Sequence, residues 1–120
     1  MICHKPYSYQ ELPNVMDQFD VLVTPSEWEE TFGFTVLEAL SYGIPVIVSE
    51  KVGAKDLILE GENGFVAASS VEILKSQIGD LIRHPSIIDD MNEYIKENFK
   101  VKTMKEHSDE LNALYKKLLN

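Results

Sequence analysis

Apolar and polar positions recur along this chain with two different periods, and the period switches several times. After a short apolar start at Met1 to Cys3, the residues Tyr9, Leu12, Val15, Met16 and Phe19 follow the spacing that places side chains on one face of an α-helix. Ser8 and Glu11 precede them as an S-x-x-E capping box. The spacing predicts a helix ending near Phe19, with its regular part starting at Leu12 or Pro13, because proline is tolerated only in the first turn. Asp20 to Thr24 is a β-rich run closed by Pro25, which predicts a buried strand followed by a loop.

Residues Ser26 to Thr31 read as a polar, acid-rich loop, broken by Gly33, and Phe34 to Tyr42 as a helix stopped by Gly43. Pro45 to Val48 is the next strand. A short helix at Ala54 to Leu59, a turn at Gly61 to Gly64 and a small strand at Phe65-Val66 follow. The last third is helical. One stripe is Val71, Leu74, Ile78, Leu81 and Ile82, and a second is Ile87, Ile88, Met91, Tyr94 and Ile95, with Pro85 between them. Met104, Leu111, Leu114, Tyr115 and Leu118 make an amphipathic C-terminal helix whose polar face carries Lys105, Glu106, Asp109 and Lys116.

Strands that are continuously apolar and alternate with helices imply an α/β fold: an open parallel sheet with helices on both faces, Rossmann-like, with a helical C-terminus. In such sheets ligands bind at the carboxyl ends of strands. The loop from Pro25 to Gly33 is therefore where chemistry is expected.

Composition narrows the partners. A chain of 120 residues is enough for one domain, 1–120, burying roughly two-thirds of its unfolded surface. With 44% hydrophobic and 26% charged residues it has the makeup of a folded globular protein. A formal charge of -9 repels phosphate backbones and anionic membranes, which argues against nucleic acid as a partner. Cys3, the one cysteine, has no internal disulfide partner, and His4, His84 and His107 lack zinc-ligand spacing, so no metal site is expected. No apolar run has the length of a signal-peptide core or a membrane span, and a reducing, cytoplasmic setting fits best.

The segment Glu30-Thr31-Phe32-Gly33-Phe34-Thr35-Val36-Leu37-Glu38 sets two carboxylates eight positions apart, one in the loop and one about a turn into the helix. Gly33 lets the backbone approach a ligand closely, and the N–H groups of Gly33, Phe34 and Thr35 at a helix start form a phosphate seat backed by the helix dipole. Glu38 lies among Val36, Leu37, Ala39 and Leu40. A carboxylate there has a partner, faces a polar cleft, or occupies a narrow solvent-exposed stripe. In the acidic run Glu27-Trp28-Glu29-Glu30 a single carboxylate is more often a solvated loop residue than a catalyst, and only the spacing singles out Glu30.

The stretch from Asp20 to Ala39 resembles the signature region of family 4 of the retaining glycosyltransferases, which have the two-domain GT-B architecture. The likeness continues through Gly43-Ile44-Pro45-Val46-Ile47-Val48-Ser49 and Gly61-Glu62-Asn63-Gly64-Phe65, and covers nearly the whole chain from Leu12 onward. Two glutamates separated by seven residues, here Glu30 and Glu38, mark the donor site of that family. The resemblance implies that this chain is a nucleotide-sugar-binding domain, a shortened Rossmann-like half of a GT-B fold that serves polysaccharide biosynthesis. Glu38 would accept hydrogen bonds from the nucleotide's ribose hydroxyls. Glu30, the catalytic candidate, would bind the donor sugar's hydroxyls or stabilise positive charge near its anomeric carbon. The amides of Gly33, Phe34 and Thr35 would hold the diphosphate, and no cofactor or metal is required. The donor would be a UDP- or GDP-sugar and the acceptor a glycan or lipid, met through an N-terminal domain that this sequence does not contain.

Two departures from the family pattern stand out. After the Pro45 strand the chain reads Gly53-Ala54-Lys55-Asp56, where the family often has a glycine pair and then a glutamate. The family's C-terminal domain also usually opens with an earlier strand and helix bearing an Arg and a Lys on the diphosphate. Without them the 120 residues alone are expected to be inactive, and self-association through the C-terminal helix is expected. The alternative is a non-catalytic Rossmann-like interaction module derived from a glycosyltransferase. A signalling receiver domain fits poorly, because the acids at Glu27 to Glu30 lead into a glycine turn.

Overall fold

Val46–Ser49 form a strand, β2, in which every residue is buried. That requires neighbours on both edges and cover on both faces. In the computed structural model, which describes residues 5–120, β2 lies between β1 (Leu22–Thr24) and β3 (Gly64–Ala67) in a parallel sheet of order β1-β2-β3. Leu22 stands opposite Val46, and Val46 opposite Gly64. The apolar start at Met1 to Cys3, together with His4, lies outside the described residues.

Alternation along β2 divides the core. Val46 and Val48 point into one cluster with Leu12, Met16, Val36, Leu40 and Ile95. Ile47 points to the other face, where Ala67 and Leu81 enclose it with Val23, Phe65, Leu74 and Ile78. The first face is covered by α1 (Leu12–Met16) and α2 (Phe34–Ser41), the second by α3 (Val71–Arg83). Helix α4 (Ser86–Asn98) serves both, with Ile87 and Ile88 in the second cluster and Ile95 in the first. Asn92 ties α4 to the turn before β2 by donating to the Gly43 carbonyl at 2.6 Å. The open parallel sheet with helices on both faces is the fold that the alternating pattern predicts.

The elements differ from the sequence reading at their ends. The first helix stops at Met16, and the chain reaches Phe19 through single turns in which Gln18 and Phe19 donate to the carbonyls three residues back. Ahead of it, the Glu11 carboxylate accepts from both the amide and the hydroxyl of Ser8, and those bonds hold its pKa below the ordinary value. β1 is three residues long and half-buried, not buried, because among the described residues it pairs on one side only, with β2. The expected helix at Ala54 to Leu59 is a 3₁₀ segment, Gly53–Leu57. Helix α2 ends as expected at Gly43, where Gly43 and Ile44 donate back to Leu40 and Ala39.

Of the apolar stripe on α3, Leu74, Ile78 and Leu81 face the sheet, whereas Val71 in the first turn and Ile82, one residue round from Leu81, remain exposed. Helix α5 (Met104–Leu119) is opened by Thr103, whose hydroxyl accepts from the Glu106 amide. None of its residues is buried. No helix among the described residues is long and apolar enough to cross a membrane.

Candidate functional site

The loop that leaves β1 is tied to the chain beyond β2 by a ladder of bonds. Ser49 donates its hydroxyl proton to the Ser26 carbonyl at 2.7 Å. The Glu30 amide donates to Lys51 O at 2.9 Å, Gly53 N–H to Glu30 O at 3.0 Å, and Ala54 N–H to Phe32 O at 2.5 Å. Outside this ladder Lys51 Nζ meets Glu29 Oε1 at 2.8 Å, which holds the Glu29 pKa down and the Lys51 pKa up through a hydrogen bond and the opposite charge. The approach is close enough that a Cβ on Gly53 would overlap the Thr31 carbonyl oxygen. Only a glycine fits there.

The ladder delivers the chain to Gly33, the N-cap of α2, at φ 91° and ψ 68°. The left-handed conformation turns the backbone into the helix, and the first helical bond is Val36 N–H to Gly33 O at 3.0 Å. The amides of Gly33, Phe34 and Thr35 find no acceptor among the described residues. Phe34 is 71% exposed and Thr35 is exposed, so this end of the helix opens to solvent. Three free donors at a helix N-terminus can take an anion.

Glu30 is brought against that helix start. Its Oε1 accepts from the Ser26 hydroxyl, and its Oε2 lies 3.2 Å from the position a Cβ on Gly33 would take. Glu38, four residues after Phe34 and so on the same side of α2, is half-buried. Among the described residues its carboxylate has neither a hydrogen-bond partner nor an ion pair. It is an acceptor held in a largely apolar helix with its capacity unused.

Several features of the site were not singled out from sequence. The Glu29–Lys51 pair and the fit of Gly53 under Thr31 join segments about twenty residues apart, and nothing in local spacing signals them. Phe32 packs on Phe34 with ring centroids 5.1 Å apart. A cavity of about 240 Å³ opens beside the loop on the α3 face, lined by Pro25, Glu27, Ser49, Ala67, Ser70 and Leu74 among others. It crosses the carboxyl ends of the strands, where the fold directs ligands.

Residues 1–101, which contain this whole arrangement, match the family described as glycosyl transferases group 1. The chain belongs to that family. Among relatives, a trehalose synthase from Pyrococcus horikoshii is 36% identical over 90 residues, which are 71% of this chain and 21% of that protein. The fold matches sucrose-phosphate synthase from Thermosynechococcus elongatus with a TM-score of 0.72 at 22% identity, covering 94% of this chain and 29% of that one. It also matches Anabaena HepE, solved in complex with UDP and glucose, with a TM-score of 0.68 at 23% identity over 88% of this chain and 30% of the other. At these identities the solved structures speak for the fold. The chain spans between 15% and 21% of the length of the first curated relatives it matches.

Proposed function

We propose that this chain is the donor-binding part of a retaining glycosyltransferase of family 4, taking a UDP- or GDP-sugar at the start of α2. The observation that carries the reading is the set of three unpartnered amides at Gly33, Phe34 and Thr35, with Glu30 beside Gly33 and Glu38 about a turn into α2. The diphosphate sits on the amides and the helix dipole, where the charge of the leaving group is stabilised as its bond to the anomeric carbon breaks. Glu38 takes the ribose hydroxyls. Glu30 is negative and repels phosphate, so it belongs beside the sugar, as acceptor for its hydroxyls or as counter-charge to the oxocarbenium-like carbon. The HepE structure, which holds UDP and glucose on the same fold, supports nucleotide-sugar binding by this domain.

The acceptor oxygen attacks from a second domain, as a glycan or lipid, and the intact enzyme works in the cytoplasm at the membrane periphery. A thermal-shift screen with UDP, GDP and their sugar conjugates tests the donor site, because a ligand of the folded state raises stability by RT ln(1 + [L]/Kd). No shift with any of them at millimolar concentration sinks the reading. One observation favours a second reading, a non-catalytic interaction module: Leu111, Leu114, Tyr115 and Leu118 of α5 are all uncovered. That reading expects self-association through α5 and no nucleotide response. Self-association through α5 is expected of both readings, so the nucleotide response in the thermal-shift screen separates them, and sedimentation equilibrium of the wild type against Leu114→Glu/Leu118→Glu tests the α5 surface.

A further inference from the structure

Trp28 is the chain's one tryptophan, and 84% of its surface is exposed. Single exposed apolar residues are ordinary on protein surfaces. Trp28 differs in the loop that carries it. Its loop is fastened on both sides, at Ser26 by Ser49 and at Glu30 by the Lys51 and Gly53 backbone, and the neighbouring Glu29 carboxylate is clamped by Lys51. Such a loop presents the ring from a fastened backbone, and binding there costs little further ordering of the main chain.

The surroundings suit one chemistry. Carboxylates flank the indole at Glu27, Glu29 and Glu30; Glu29 is engaged with Lys51, while Glu27 lines the mouth of the adjacent cavity and Glu30 faces Gly33. An aromatic face is electron-rich and attracts C–H groups, and free carboxylates only accept hydrogen bonds. A pyranose ring offers both complements, an apolar C–H face and a rim of hydroxyl donors. The loop bearing Trp28 leads into the amide seat, whereas Glu38 lies a turn down the helix. With a diphosphate on the amides, the nucleoside extends toward Glu38 and the sugar toward the loop.

We propose that Trp28 is a stacking platform for the sugar ring of the bound donor and helps set which sugar is accepted. The inference rests on the donor-site reading above, and its test separates the two. Affinities of UDP, UDP-glucose, GDP and GDP-mannose are measured by calorimetry on the wild type, Trp28→Ala and Trp28→Phe, with melting curves to show that each variant is folded. Trp28→Ala is expected to leave the free nucleotides unchanged and weaken the sugar conjugate by about 3- to 10-fold, as for loss of one aromatic stack, while Trp28→Phe recovers most of it. Wild-type tryptophan emission should shift to the blue with the sugar conjugate and not with the free nucleotide. Equal loss for nucleotide and conjugate, or no loss for either, overturns the inference while leaving the donor site standing. So does a loss confined to a free glycan such as maltose. If the wild type binds none of the four, the donor site falls and this inference falls with it.

Discussion

The Glu30 carboxylate is packed against the α-carbon of Gly33: a side chain begun there would meet Glu30 Oε2 at 3.2 Å and Val52 Cγ1 at 2.9 Å. Negative charge is thereby fixed beside an end of α2 whose amides attract it. The two influences oppose each other at any single point, and in the proposed donor site they would separate a place for phosphate from a place for sugar.

Gly33→Ala is expected to damage both fold and site. The positive φ of 91° is strained for alanine, and the new methyl must push Val52, which is fully buried, or Glu30. A loss of about 1 to 3 kcal/mol in urea unfolding is expected, together with weakened nucleotide binding. A variant as stable as the wild type would show that the turn relaxes without this constraint.

Glu38→Gln separates site from fold. Because Glu38 has no partner among the described residues, its neutralisation should leave the melting midpoint almost unchanged. Nucleotide affinity should fall by about 1 to 3 kcal/mol, as when a charged acceptor of hydroxyl donors is lost. Unchanged affinity by calorimetry means that the ribose lies elsewhere.

The clamp between Glu29 and Lys51 gives the loop a pH window. The Glu29 pKa is lowered in the folded chain by its bond to Lys51, so its contribution is complete above the ordinary glutamate value of about 4.3 and is lost as pH falls through the lowered value. The Lys51 pKa is raised, so its contribution is complete below the ordinary lysine value of about 10.4 and is lost as pH rises through the raised one. Trp28 adjoins Glu29, and its emission should change in acid. The control is Lys51→Met, in which the acid transition should move upward. Superimposable titrations in the two proteins would mean that the clamp does not hold the loop in solution.

How much of this was legible in the sequence depends on the range of the interaction. The run Pro45 to Val48 announced a central strand, because burial on both faces leaves no polar position. The same logic overestimated β1, since apolar composition does not reveal on how many sides a strand is paired. Gly33, Gly43 and the Ser8 box were readable because capping chemistry is local. Spacing to Glu38 singled out Glu30 from three acids, the family resemblance gave it a role, and the structure adds that Glu30 is the one set against Gly33. The ladder to Lys51, Gly53 and Ala54 was unreadable, being backbone pairing between segments whose side chains carry no mark of it. The stripe on α5 was plain in sequence, but amphipathicity does not say what covers a helix, and here it is uncovered.

These 120 residues by themselves should bind a nucleotide sugar and transfer nothing. Transfer requires the donor and the acceptor oxygen to be held in reactive geometry, an effect worth roughly 7 to 11 kcal/mol of barrier when geometry is ideal. The acceptor surface is expected to lie outside these 120 residues, which span 30% of the solved HepE chain on which their fold is matched. In the proposed seat the leaving diphosphate is held by the backbone donors of Gly33, Phe34 and Thr35, with no Arg or Lys assigned to it. Loss of one such stabilising donor costs about 10²- to 10³-fold in rate. Both deficits act on the same bond-breaking step, so together they should take turnover below detection while binding survives. Radiolabelled UDP- and GDP-sugars incubated with mixed glycan and lipid acceptors measure this directly, with Glu30→Ala as the blank. Incorporation above that blank by the purified chain would mean that acceptor positioning is already present in these residues.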